Sequence, residues 1–538
     1  MHALTVLYGG SLASQAFEPV FGGQSALSLA IKQAAAFPGS EKIVLLTKEK
    51  EEIPGISASF FEENKVTVIK KPVWTVSELL KTLSEASAGF DFAYYAWADA
   101  PFLDPLLAGK IAERHTRYAA EYSYADGWPL GLGPELINSQ TAGILYKIAG
   151  DDGTGPVRRD SLFTVLQKDI NAFDIETEIS TEDLRHHRLS FNADSKRNLL
   201  LLQRFDKAFT DSKDAVNTSG YADSVAQIIL DHPEYLRTLP AFFPIQVSGP
   251  CPKNKNGSCR LCPYPQFEKK GAVSERNDFL DPALFTTLLD KIEQFAGDGV
   301  IDLSLWGETA LHPQREKLIK AVLERPALSL LIETSGYGWT GFDLAKIAAE
   351  TAGEKDRLNG QPALSWIVSL NPEDIPQTES IESEAVSFVK KLISCFPREN
   401  GKDDRVYVEA VRTVGEEDAI EKFYRSWKAF GADNSGPAVI IQKYDSFCGF
   451  LPQKQAVDLS PVERRPCWHL SRDFPVLLDG TAPLCREDIG ESRTISGNVF
   501  SETLESIWKK GEGMYLSHCR KEYEGPCKVC DEYYTYNF

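Results

Sequence analysis

The chain has 538 residues, 43% of them apolar and 25% charged, with a formal net charge of −19. That length is too great for one ordinary core and predicts two to four domains with the composition of a globular protein. The negative charge argues against phosphate backbones and anionic membranes as main partners, since both need a basic face, so neither nucleic acid nor membrane is expected.

The opening residues Met1-His2-Ala3-Leu4-Thr5-Val6-Leu7-Tyr8 lack a basic lead into an apolar run. No stretch reaches the roughly 18 apolar residues of a membrane span, so a cytoplasmic location is expected. Ten cysteines are unevenly spread: none falls in the first 250 residues and six fall between Cys448 and Cys530. In a reducing compartment such clustering favours metal ligands over disulfides.

Taken in chain order, residues 2–8, 42–47 and 90–97 read as buried strands, and 24–36, 76–86 and 105–118 as helices. This alternation predicts an α/β layer fold with a mostly parallel sheet. Asp99 lies just past an apolar strand in Tyr95-Ala96-Trp97-Ala98-Asp99, where a carboxylate could serve a magnesium–phosphate site or simply cap the next helix. Residues 206–240 read as a helical connector.

The middle third then repeats strand and helix. Strands are predicted at 243–248, 300–306, 328–334, 364–370, 405–412 and 438–443, with helices at 282–296, 314–324, 342–350, 382–394 and 417–430. Six such units fit an open, partial (β/α)6 barrel, whose chemistry would sit at the C-terminal ends of the strands. From residue 451 the chain is short on long helices and rich in Cys, Pro, Gly and aromatic residues, a segment that needs staples to hold itself together. The predicted domains are 1–205, 206–240, 241–450 and 451–538.

Two features stand at the C-terminal ends of neighbouring predicted strands. The first is Cys251-x7-Cys259-x2-Cys262, three thiols with no adjacent histidine. Structural zinc prefers four protein ligands, so three thiols suit an iron–sulfur cluster with one open iron better, although a zinc knuckle is the alternative. The second is Trp306-Gly307-Glu308, where glycine permits close backbone approach and Glu308 offers a carboxylate. His312 reads as a helix-entry residue, and Cys395, between apolar neighbours on a predicted helix, as core.

Together with Thr334-Ser335-Gly336 and Ser369 in Ile367-Val368-Ser369-Leu370, these motifs resemble the radical S-adenosylmethionine superfamily over residues 243–443. The first cysteine gap is longer than usual there, and Leu261 stands where an aromatic residue usually precedes the last cysteine. The resemblance implies that Cys251, Cys259 and Cys262 hold three irons of a 4Fe-4S cluster and that S-adenosyl-L-methionine (AdoMet) chelates the fourth. It implies contacts of Gly307 and Glu308 with the AdoMet amino group, Thr334 and Gly336 beside the cofactor, and Ser369 on its ribose or carboxylate. Reductive cleavage would give a 5′-deoxyadenosyl radical that takes hydrogen from a substrate, with hydrogen abstraction carried by the cofactor.

The tail, with Pro466-Cys467, Gly480-x4-Cys485, Gly497-Asn498-Val499, Leu504-x2-Ile507-Trp508, Cys519 and Cys527-x2-Cys530, resembles the SPASM domain, an auxiliary-cluster module. That likeness implies one auxiliary 4Fe-4S cluster on Cys467, Cys485, Cys527 and Cys530. Cys519 and Cys448 are then spare or serve a second, open cluster, and structural zinc on the same four sulfurs is the alternative.

Residues 1–205, with Asp99, Pro129-Leu130-Gly131-Leu132-Gly133-Pro134-Glu135 and Asn192-Ala193-Asp194, resemble the GT-A/Rossmann-like sugar nucleotidyltransferases near the cytidylyltransferases. Asp99 would be their magnesium ligand and Asp194 a second. The glycine-containing stretch 8–23 carries no basic residue, however, and a triphosphate needs positive charge or a dense nest of amides.

This three-part order resembles the family called spiro-SPASM proteins. It implies a radical enzyme acting on a peptide or protein, or second on a carbohydrate or nucleotide-linked small molecule, with ferredoxin or flavodoxin as electron donor. The alternatives are a cytidylyltransferase-like enzyme with a structural metal-binding C-terminal half, and a non-catalytic metal-stapled binding protein.

Overall fold

The computed structural model describes the chain except residues 50–52, 250, 252–260, 264–277, 352–356, 358–359, 371–382, 398–404, 431–435, 459, 490–494 and 536–538. The chain divides into two units, Met1–Thr238 and Leu239–Phe538. No helix among the described residues is long and apolar enough to cross a membrane.

The first unit is built on seven strands: β1 (Ala3–Tyr8), β2 (Ser40–Lys48), β3 (Val66–Lys71), β4 (Phe92–Trp97), β5 (Tyr122–Asp126), β6 (Glu135–Ile137) and β7 (Ile175–Ile179). They form one sheet in the order β3-β2-β1-β4-β6-β5-β7. The first four are mutually parallel, and β6 runs antiparallel to both β4 and β5.

All six residues of β1 are buried, as expected of a central strand covered on both faces. One face carries a core with Leu27, Ile31 and Leu107, the other with Leu79, Leu83 and Leu145. Each such side chain contributes roughly 1.5–3 kcal/mol on burial.

Side chains fix the helix starts. Ser25 and Ser28 make a reciprocal capping box ahead of Ala26–Ala35, and Asp104 accepts from the amides of Leu106 (2.8 Å) and Leu107 (3.3 Å) ahead of Pro105–Arg117. The cap for that helix is therefore Asp104, which corrects the expectation that Asp99 might serve.

Residues 206–240 are no free-standing connector. Phe205, Phe209, Val225 and Ile229 join the first unit's core, and Asp104 also accepts from the Ala222 amide at 2.8 Å.

The second unit holds β8 (Phe242–Pro244), β9 (Gly299–Asp302), β10 (Leu328–Thr334), β11 (Leu364–Ser369), β12 (Val406–Arg412) and β13 (Ala438–Lys443). They line up in sequence order in one six-stranded sheet, every pair parallel. Helices Pro282–Ala296, Arg315–Leu323, Leu344–Thr351, Glu384–Cys395 and Glu417–Phe430 fill the crossovers. Several predicted strands end earlier than expected: residues 245–248, which keep isolated bridges to Val476 and Phe279, and 303–306 lie beyond the strands in irregular segments that lead to functional candidates.

The tail adds helices Trp468–Arg472, Leu504–Lys510 and Glu512–Cys519 and a small antiparallel pair, β14 (Thr481–Pro483) and β15 (Ile495–Asn498). It shares the sheet's core through Phe474, Val476, Val499, Leu504, Ile507 and Trp508. Its extended residues also bond along the β8 edge, from the Phe474 amide to Phe242 O (2.9 Å) and from the Val476 amide to Pro244 O (2.8 Å). A sheet edge that would otherwise expose unpaired backbone groups is covered in this way.

Candidate functional site

The strand period of two lays Phe242, Val300, Leu331 and Ile367 on one face of the second unit's sheet as an apolar layer. Two residues further along the same face come Asp302, Glu333 and Ser369, with Glu409 two beyond Tyr407. These four line a cavity of about 490 Å³ at the C-terminal ends of the strands.

The wall above this polar layer is the turn after β9. Trp306 and Gly307 take φ values of 45° and 107°. A Cβ on Gly307 would lie 1.8 Å from Ser248 O, so only glycine lets this turn press against the segment leading to Cys251.

Glu308 is buried against the turn that follows β10. Its Oε1 accepts from Thr334 Oγ1 at 2.7 Å, and its Oε2 accepts from the Ser335 amide at 2.9 Å and from Ser335 Oγ at 2.7 Å. Burial raises the Glu308 carboxyl above its ordinary range, and the hydrogen bonds from Thr334 and Ser335 oppose that rise. Thr334 Oγ1 accepts in turn from Trp339 Nε1 at 2.8 Å. Gly336 does not line the cavity. At φ 78° it lets the chain pass Ala385, whose Cα would be 2.9 Å from an added Cβ, so its part is to shape the wall.

Cys251 and Cys262 line the same cavity as Glu308, Thr334 and Ser369, while Cys259 lies outside the described residues. Ser369 Oγ donates to Glu409 Oε1 at 3.4 Å. Burial is the largest influence on all three carboxyls of the layer, pushing Asp302 up to about 6, Glu333 to about 7 and Glu409 to about 8. The nearby guanidinium of Arg486 only partly offsets this, being bound to Glu487 at 2.9 Å.

A second, smaller chamber gathers five thiols: Cys448, Cys467, Cys485, Cys527 and Cys530. The Cys448 thiol donates to Cys530, which lowers the Cys530 thiol and raises that of Cys448. Burial, and then neighbouring thiols and acids, raise Cys467 and Cys485, and bring Cys527 to about 11.

Spacing bears on which metal suits them. Tetrahedral zinc at ~2.3 Å from each sulfur would bring its thiolates within about 3.8 Å of one another. Among the described residues the one trio of metal-ligating atoms mutually within 4.8 Å is Asp445, Asp531 and Glu532, so no three of the thiols stand that close. That acidic trio is already served by Lys443, which pairs with Asp531 at 3.2 Å and also with Glu532.

The set implied by the tail's resemblance, Cys467, Cys485, Cys527 and Cys530, is brought together with Cys448 added. Cys519 is the last residue of its helix and does not line the chamber, and Cys395 packs against the sheet's core. His312 is buried, with Nε2 2.9 Å from Leu280 O and Nδ1 accepting from the Gln314 amide at 3.0 Å.

Sequence reasoning missed His518, which lines the thiol chamber fully buried and with neither ring nitrogen hydrogen-bonded. Burial, and next Arg464, lower its pKa to about 4. It also missed the layer of Asp302, Glu333 and Glu409; the period of two along each strand was the available signal.

In the first unit, Asp99 and Asp194 do converge, but on a guanidinium. Arg159 reaches Asp99 through two bonds, at 3.1 and 2.7 Å, and Asp194 at 2.9 Å, and lies over the Trp97 ring at 4.3 Å. Burial raises the Asp99 carboxyl in spite of this partner, while the two carboxylates keep the arginine charged. A magnesium ion does not fit here, because Arg159 holds the oxygens it would need.

No family model matches the chain. Solved structures similar to it include a cytidylyltransferase from Leptospira borgpetersenii serovar Hardjo-bovis (strain JB197), 16% identical, covering 44% of this chain and 95% of that one at a TM-score of 0.35. They also include BtrN in complex with AdoMet and 2-DOIA, 18% identical, covering 55% and 94% at a TM-score of 0.32. Scores this low carry no functional conclusion. By sequence, an uncharacterized protein of Treponema pallidum (strain Nichols) is 35% identical over 385 residues, spanning 70% of this chain and 98% of the relative. The chain belongs to the same family as that Treponema pallidum protein.

Proposed function

We propose that the second unit is a radical AdoMet enzyme with an auxiliary iron–sulfur cluster in its thiol chamber. The observation that carries this reading is the meeting of Cys251, Cys262, Gly307, Glu308 and Ser369 around one cavity at the C-terminal ends of parallel strands. When bound, a four-iron cluster with one open iron supplies the electron that cleaves AdoMet.

The chain's own residues have simpler tasks. Cys251 and Cys262, with Cys259, would hold that cluster. Glu308, fixed by Thr334 and Ser335, would accept from the AdoMet ammonium, and the glycine at 307 would bring the backbone close enough to touch it. The apolar layer of Phe242, Leu331 and Ile367 closes the cavity floor against water. In the second chamber, the wide spacing of the thiols supports an iron–sulfur cluster over zinc.

The test is anaerobic reconstitution with iron and sulfide, followed by dithionite and AdoMet. The full chain is expected to release 5′-deoxyadenosine. Cys262→Ala is expected to lose that release while retaining the iron of the thiol chamber. Release that survives Cys262→Ala, or none from the wild type, would end this reading.

A second reading, cytidylyltransferase-like nucleotidyl transfer by the first unit, is favoured by the convergence of Asp99 and Asp194. Against it stands Arg159, which fills the place of the cation such chemistry needs. Pyrophosphate release from CTP by the wild-type chain would support this second reading.

A further inference from the structure

We propose that the group presented to the AdoMet cavity by the substrate is a cation, an amine or a guanidinium, received by Glu333 and Glu409. This deepens the reading of the second unit as a radical AdoMet enzyme and rests on it.

The argument begins with the charges around the cavity. Asp302, Glu333 and Glu409 occupy one layer, on the first, second and fourth of four consecutive strands, and among the described residues none has a cation within ion-pair distance. The two basic side chains among the described residues of the cavity are engaged elsewhere, Lys443 on Asp531 and Glu532, and Arg486 on Glu487. Glu333, half-buried on the cavity wall, meets the fields of Asp302, Arg486, Glu308 and Glu409. Glu409 is 9% exposed, and its side chain has, among the described residues, the 3.4 Å contact from Ser369 on Oε1.

A separate observation comes from the lining contributed by the tail. Glu487 is 2% exposed; its Oε1 is bound to Arg486 at 2.9 Å, while its Oε2, on a carboxyl beside that of Asp445, has no hydrogen-bond partner among the described residues, and both acids line the cavity. Buried carboxylates are ordinarily paired or hydrogen-bonded, because an uncompensated one costs several kcal/mol. A cation entering from solution would supply a partner for Glu333 and Glu409 and for the open oxygen of Glu487.

Glu308 is not part of this receiver. Its oxygens are taken by Thr334 and Ser335, at the height where the AdoMet ammonium is expected. Glu333 and Glu409 lie deeper, one step above the apolar floor. A lysine or arginine side chain, or a polyamine, has the length and the single charged end that such a site selects.

The experiment uses the iron-loaded full chain, saturated with AdoMet and titrated without oxygen in a calorimeter. The probes are N-acetyl-lysine methylamide, N-acetyl-arginine methylamide and spermidine, with N-acetyl-norleucine methylamide as the uncharged control. At least one cation is expected to bind about tenfold or more tightly than the control. Glu333→Gln with Glu409→Gln is expected to remove that advantage while AdoMet affinity and iron content hold. The single variants serve if the double one folds poorly.

Cations that bind no better than the control, or an advantage that survives the substitutions, overturn the proposal. So does a loss of AdoMet affinity in step with the loss of cation binding, since the acids would then serve AdoMet itself. Iron content and 5′-deoxyadenosine release are read before any probe is added, so failure of the underlying radical AdoMet reading is seen separately.

Discussion

The two units treat buried acid in opposite ways. In the first, Asp99 and Asp194 are bridged by one guanidinium that also stacks on Trp97, and the cluster is complete within the chain. In the second, three carboxylates share a layer with no cation bound to them among the described residues, and five thiols line one chamber. A buried charge that finds its partner inside the fold is structural in character, whereas buried charges left facing each other mark where something from outside is bound.

The sharpest way to break that contrast is at the glycine of the β9 turn. Gly307→Ala puts a methyl into Ser248 O and forces apart the wall that carries Glu308 and the segment before Cys251. AdoMet binding by the reconstituted chain is expected to fall by about 100-fold or more, ~2.7 kcal/mol, read by equilibrium dialysis. Unchanged affinity would show that the turn does not touch the cofactor.

A stability effect of similar size is expected in the first unit. Arg159→Met strands Asp99 without its cation and should cost about 3 kcal/mol in denaturant unfolding of that unit. The same variant should gain Mn²⁺ binding, read by electron paramagnetic resonance, because the two carboxylates are released to a metal. Wild-type protein that binds Mn²⁺ at Asp99 would erase the difference between the units.

The mildest effect is a slope. Glu333 and Glu409 are raised by burial to about 7 and about 8, and they face Asp302, Glu308 and the Arg486 guanidinium. A carboxyl raised in the folded state holds a proton that the unfolded chain has already lost. Its stabilising contribution is therefore full below the unfolded value, ~4.3, and is lost as pH rises through about 7 and 8. Between pH 5 and 8 the second unit should lose stability as pH rises, and the paired glutamine substitutions should flatten that slope in thermal melts. An unchanged slope would mean these carboxyls ionise freely.

Much of the fold was legible because its signals are local. The alternating apolar runs located β1, β4 and all six strands of the second sheet, and Ser25, Thr75 and Asp104 open helices close to where the pattern begins. Strands β3 and β5 to β7 were not foreseen. β3 is only half-buried and ends in two lysines, and β6 is three residues long, so neither shows a clean period.

The site divides along the same line. Cys251, Cys262, Glu308 and Ser369 were readable from motif spacing and do line one cavity. Arg159 was invisible as the partner of Asp99 because sixty positions separate them, and no local pattern encodes an ion pair at that distance. Cys448 and His518 enter the thiol chamber from turns and a short helix whose place is set by packing of the tail on the sheet, which spacing alone does not encode.

The central claim is that the thiols of the second unit hold iron in two places. Full-length protein, purified and reconstituted without oxygen, should carry about eight irons and as many sulfides, the content of two four-iron clusters. Cys262→Ala should lower this to about four, and so should Cys530→Ala. Zinc in place of iron, or a chain that retains neither metal, would contradict the account.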